Sequence, residues 1–219
     1  MNHTQPASER DSKGQPTTAA LAPTRVLVAY ASRHGSTAEV ADAIGAELRR
    51  SGADVSVQRI TGRLRAEGYD AVVLGGPMIM GWHRHAAHFL KRNAASLAAG
   101  PLACFITAAS LTQTNEESID GVPIFYDPWL AKAAAHTGRL GLRERYTSPR
   151  HYLKPITSLA PRLRPVSVAF FGGSLDLTRM SILEKLFVML IVGASPGDLR
   201  NWDAITSWAG DTLPGLLGS

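Results

Sequence analysis

Val26-Leu27-Val28-Ala29-Tyr30 runs into Ser32-Arg33-His34-Gly35-Ser36-Thr37, after which Val40, Ile44 and Leu48 recur one helical turn apart. Five β-prone residues, a hydroxyl-rich loop with one glycine and an amphipathic helix commit this stretch to a strand–loop–helix unit. The first turn of a helix has backbone N–H groups without intrahelical acceptors, and the helix dipole favours negative charge there. Ser32, Ser36, Thr37 and either Arg33 or His34 add side-chain donors. The loop lacks the Gly-Lys-Ser/Thr ending of a triphosphate loop and the three-glycine spacing of a dinucleotide fingerprint, so its donors suit a phosphate monoester. The plainer alternative is an ordinary strand-to-helix turn with Ser36 as the N-cap.

The remaining pattern alternates. Residues 54–60 read as an edge strand, 69–74 as a central strand, 102–107 as a fourth strand and 165–171 as a fifth. Helices are expected over 84–97, over 127–136 with Asp127 as cap and Pro128 at its first position, over 181–192, and over 201–212. Such alternation predicts a doubly wound, five-stranded parallel sheet of order 2-1-3-4-5, with helices on both faces and ligands at the carboxyl ends of strands one and three. The loop after the third strand is then the second half of a ligand site. It reads Gly75-Gly76-Pro77-Met78-Ile79-Met80-Gly81-Trp82, where glycines permit close backbone approach and Trp82 between methionines offers a flat, polarisable face. Trp82 as a core anchor for the next helix is the competing reading. A phosphate-monoester loop facing a glycine-aromatic loop points to FMN, and a deazaflavin would meet similar loops.

Composition narrows the class. In a chain of 219 residues, residues 1–23 form a polar stretch without an apolar run, expected to be a disordered tail, with the domain over 24–213 and a short tail over 214–219. One cysteine, Cys104, excludes an internal disulfide and sits in the apolar run Leu102 to Ile106 as a small hydrophobe, which suits a cytoplasmic location. Residues 139–164 hold seven Lys/Arg against one acid, Glu144: a net +6 in a chain of net +5, so the remainder sums to −1. This basic insertion before the fifth strand reads as a surface for an anionic membrane or for porphyrin propionates, or as a merely solvated loop; no recognised nucleic-acid module accompanies it. Leu186 to Val192 is uninterruptedly apolar but far short of the roughly 20 residues that span a bilayer. The stretch 182–192 is either a core helix or one lying on the inner face of a membrane or against a quinone.

The phosphate loop with its helix, the block Val72 to Asn93 and the block Phe170 to Ala209 together resemble the flavodoxin superfamily. They are most similar to its menaquinone-dependent protoporphyrinogen oxidases. The last block carries Gly172-Gly173-Ser174-Leu175-Asp176, an apolar helix, Gly197-Asp198-Leu199-Arg200 and Trp202-Asp203-Ala204-Ile205 in that order. The resemblance implies a flavodoxin-like fold and FMN held by Ser32 to Thr37, by Pro77 to Trp82, and by Thr107, Ala108 and Ser110 after the fourth strand. The chain differs where that family tends to place an Arg-Tyr pair, having Ile79-Met80.

His83, His85 and His88 crowd one helix start without a carboxylate or thiol to complete a ligand set, so no metal site is expected. His83 or His85 is instead a candidate donor to a substrate or to a flavin ring. Two functions follow: an FMN-dependent oxidoreductase passing electrons from a small organic donor to a quinone or other acceptor, or a non-catalytic electron carrier. Flavodoxin surfaces are generally acidic, and a pI near 9.7 sets this chain apart from a carrier that docks on basic partners.

Overall fold

A computed structural model describes residues 23–33, 35–78, 81–114, 116–134, 140–159, 162–175 and 197–217. The first strand, β1 (Arg25–Tyr30), buries Val26 and Val28 on one face and Leu27 and Ala29 on the other, as the two-residue period of a strand requires. Around it lie β2 (Asp54–Arg59), β3 (Ala71–Met78), β4 (Leu102–Ala108) and β9 (Ser167–Gly172), all parallel, in the order β2-β1-β3-β4-β9. The expected 2-1-3-4-5 arrangement is therefore present.

Helix α1 (Ser36–Arg50) and the closing helix α6 (Trp202–Leu217) cover one face. Val40, Ile44 and Leu48 of α1 meet Val28, Val73, Phe105 and Phe171, with Ile205 and Trp208 from α6. Helices α2 (Arg84–Arg92), α3 (Ala94–Ala99) and α5 (Pro149–Leu159) belong to the other face, where Phe89, Leu90, Tyr152 and Ile156 join Leu27, Leu74, Ile106 and Phe170. Burial pushes the Cys104 thiol up to about 12, consistent with its packing role.

Several expectations need correction. The sheet has seven strands, because β7 (Val122–Tyr126) pairs in parallel with β9 and β6 (Ser118–Ile119) pairs antiparallel with β7. No helix forms at residues 127–134. The buried Asp127 does not cap one; its carboxylate accepts from the backbone of Trp129 (2.9 Å) and Gly172 (3.2 Å) and from Asn201 Nδ2 (3.1 Å). The chain then turns into β8 (Ala131–Ala133), which pairs with β5 (Leu111–Gln113).

The single helix expected over 84–97 is broken at Asn93. Its buried amide donates to Phe89 O and accepts from Ala66 N, competing with the helical ladder. The third strand runs on to Met78, because its pairing with β4 continues to Met78 opposite Ala108. Gly75 in this stretch lies under the Phe105 ring: a Cβ there would stand 1.9 Å from Phe105 Cζ. The closing helix continues past residue 212 to Leu217, through Pro214, and buries Leu216. The basic insertion folds as α4 (Leu142–Tyr146) and α5, the latter packed on α2. The apolar stretch 182–192 and residues 1–22 lie outside the described residues. Among the described residues no helix is long and apolar enough to cross a membrane.

Candidate functional site

The carboxyl ends of β1, β3 and β4 meet at the start of α1. Ala31 N donates to Gly75 O (2.9 Å), and Gly35 N donates to the buried Ser32 Oγ (3.0 Å), closing a tight turn. Gly35, not Ser36, is the N-cap; its φ of +102° is a backbone state that favours glycine, and no side chain caps the helix. Ala38 N and Glu39 N both reach Gly35 O, whereas the N–H groups of Ser36 and Thr37 precede the first intrahelical bond. A Cβ at Gly35 would meet nothing within 4 Å, so it is the positive φ, not crowding, that favours glycine there. This arrangement offers amide hydrogens, the Ser36 hydroxyl and the positive end of a 15-residue helix to an oxyanion.

Thr37 points inward. It is 1% exposed, and its Oγ1 lies 2.9 Å from Thr107 Oγ1, tying the loop to the end of β4. One hydroxyl hydrogen is consumed between the two threonines and one remains to be placed. Ala108 O accepts from Gly173 N (3.1 Å), and the buried Ser110 offers its carbonyl to Tyr152 OH (2.9 Å). Gly173, which sequence reasoning placed only in a small-residue turn, stands beside Ser36: a Cβ on it would lie 3.8 Å from Ser36 Oγ and from Ala108 O.

The second expected loop is less open than its glycines suggest. Met78 is buried and forms a bridge with Trp82, and Trp82 is only 8% exposed. Its indole packs over Gly76, with Nε1 3.1 Å from where a Cβ on Gly76 would sit, and reaches Ala86 of the core. Trp82 is therefore a core anchor, not an exposed stacking face, and its Nε1 has no hydrogen-bond partner among the described residues. Pro77 is half-buried and accepts at its carbonyl from His83 N, while Gly81 is exposed at φ +110°. His34, Ile79 and Met80 lie outside the described residues.

His83 caps α2 by accepting the His85 N–H at Nδ1 (3.3 Å). Burial, then the neighbouring His85, Arg33, Arg84 and Arg59, lowers its pKa to about 4, so it is neutral at pH 7 with the lone pair that the cap needs. Arg59, at the end of β2, reaches across to Ser32 O (3.0 Å) and braces the turn. The signal for Arg59 was its position at the ligand edge of a doubly wound sheet, next to strand one. Arg200 was singled out only within a block. It pairs with Asp198 (2.5 Å) and with Glu39 in the first turn of α1 (2.5 Å), and lies 4.8 Å over the Trp202 ring. Asp198 is held below the usual carboxylate range by that guanidinium. No group of His, Cys, Asp or Glu among the described residues is arranged to hold a metal.

Residues 27–198 match the family model described as "Flavodoxin domain". Similar solved structures include flavodoxin 2 of Bacillus cereus, at 16% identity and TM-score 0.45, covering 85% of this chain and 95% of that one. The two-electron reduced flavodoxin of Megasphaera elsdenii matches at 13% identity and TM-score 0.41, covering 85% and 98%. A flavodoxin of Streptococcus pneumoniae TIGR4 matches at 13% and 0.39, covering 78% and 98%. No curated protein matches the chain.

Proposed function

This chain belongs to the flavodoxin-domain family, and from that we propose that it binds FMN and transfers electrons. The start of α1 carries the reading. Amide and hydroxyl donors converge there without a lysine, a set that fits a phosphate monoester. Bound FMN supplies the redox chemistry of its ring system. The chain's own residues anchor and shape: Ser32 holds the turn, the Thr37–Thr107 pair fixes loop to sheet, and Ser36 with the first amides of α1 would hold the phosphate. Replacing Ser36 with Ala should weaken FMN by about 1.5–3 kcal/mol and riboflavin hardly at all, read by fluorescence titration. Equal losses for the two ligands would place the phosphate elsewhere.

A second reading makes the chain an oxidoreductase that takes electrons from a small organic donor, such as a porphyrinogen, and passes them to a quinone, peripherally at an anionic membrane. Its support is the basic insertion, which folds as α4 and α5 and reaches the loop after β4 through Tyr152 OH and Ser110 O. Many turnovers of reduced porphyrinogen with a menaquinone analogue would decide for the enzyme. Exchange with a soluble reductase, and no turnover of porphyrinogen, would decide for the carrier.

A further inference from the structure

We propose that the cleft between the Ser32–Arg33 turn, the end of β2 and the start of α2 is a second anion site, built for a small organic polyanion bearing carboxylate or phosphate groups. It does not depend on the identity of the cofactor. The cleft encloses about 490 Å³, and Arg33, Arg59, His83, Arg84 and His85 line it beside Ser32. Arg84 and His85 also line a neighbouring cleft of about 340 Å³ that continues past Thr61 to His88 and Arg92. Neither lining contains an aspartate or glutamate.

Elsewhere on the molecule Arg150 is neutralised by Glu116 and Asp120, and Arg200 by Asp198 and Glu39. Arg49 and Arg65 rest singly on carbonyls, and what distinguishes the cleft is that several such cations face one opening. Among the described residues, Arg59, Arg84 and Arg92 have no ion pair. Arg59 and Arg92 are instead steadied by neutral carbonyls, Ser32 O at 3.0 Å and Thr61 O at 3.2 Å. Carbonyls position a guanidinium and leave its charge uncancelled. Several cations facing one another in this way repel; burial is the main reason His83 titrates low, and the neighbouring His85, Arg33, Arg84 and Arg59 push it further down. A bound anion relieves that repulsion.

Guanidinium forks match the paired oxygens of carboxylates and phosphates. The combined openings are of the size that small ligands occupy. Because the cations extend from Arg59 through Arg84 to Arg92, a ligand with separated acid groups satisfies them better than a single oxyanion. The donors differ in kind from those at the start of α1, which are amides and hydroxyls.

Calorimetric titration with citrate and with pyrophosphate near neutral pH tests the site, on the chain as purified and again after saturation with FMN. We expect one-site binding of at least one probe, and the stronger of the two tells whether carboxylate or phosphate chemistry is preferred. Binding should be unaffected by FMN and weakened about tenfold or more by Arg59→Gln and by Arg84→Gln. Arg50→Gln, on the far end of α1, should leave it unchanged. In NMR titrations the His83 imidazole pKa should rise when the probe is bound. The proposal is overturned if neither probe binds at millimolar concentration, or if FMN displaces the probe and makes this one site with the start of α1. Unchanged affinity in both Gln variants, or binding confined to DNA or anionic vesicles, overturns it equally.

Discussion

Thr37 and Thr107 stand 70 residues apart in sequence and share a 2.9 Å hydrogen bond in a nearly dry environment. Removing one hydroxyl strands the other, which costs about 1–3 kcal/mol; removing both leaves two methyl groups facing each other. Thr37→Val and Thr107→Val should therefore each destabilise the fold by about that amount in urea titrations, and the double variant by clearly less than their sum. Additive losses would mean that the pair does not act as a unit. The local pattern identified Thr37 as a polar residue at a helix start, but its partner comes from β4, and nothing in a six-residue window encodes that. Asp127 misled for the same reason. An Asp-Pro pair is a good helix opening by local rules. Its carboxylate is claimed instead by Gly172 and Asn201, 45 and 74 residues away.

The elements with strong periodicity were legible: the apolar alternation of β1 and the i, i+4 face of α1 both survive in the fold. The segment before β9 was not, because its charges and its internal Pro155 obscured a short amphipathic helix. Tyr152, Leu153 and Ile156 are each no more than 2% exposed and face α2 and the sheet. Ile156→Ala should cost about 2–5 kcal/mol, the ordinary penalty for truncating a core aliphatic, measured by thermal or urea unfolding. A loss below about 0.5 kcal/mol is what a solvated loop would give, and would contradict the packing of α5.

At the scale of the whole molecule, charge is uneven. The net +6 of residues 139–164 exceeds the +5 of the chain, yet Arg150 is spent on Glu116 and Asp120. Membrane attraction by the insertion would draw on its exposed basic residues, among them Arg143, Arg145, Lys154 and Arg162. Co-sedimentation with vesicles rich in acidic lipid should then fall steeply with salt, at about 1 kcal/mol per basic residue near the surface, and should drop on reversing Arg143 and Arg145 to Glu. Salt-independent or lipid-indifferent behaviour would remove the membrane from consideration. The added strands have a different consequence. Without β7, the apolar Val168, Ala169 and Phe170 would carry unpaired amides and carbonyls along an open sheet margin, a template for pairing with another chain. Short β6 covers the start of the outer margin of β7, at Val122 and Pro123, and Ile124 N donates to Glu117 O beyond it. Cleavage within residues 109–130 is thus expected to send the protein into aggregates instead of trimming it to a smaller soluble core.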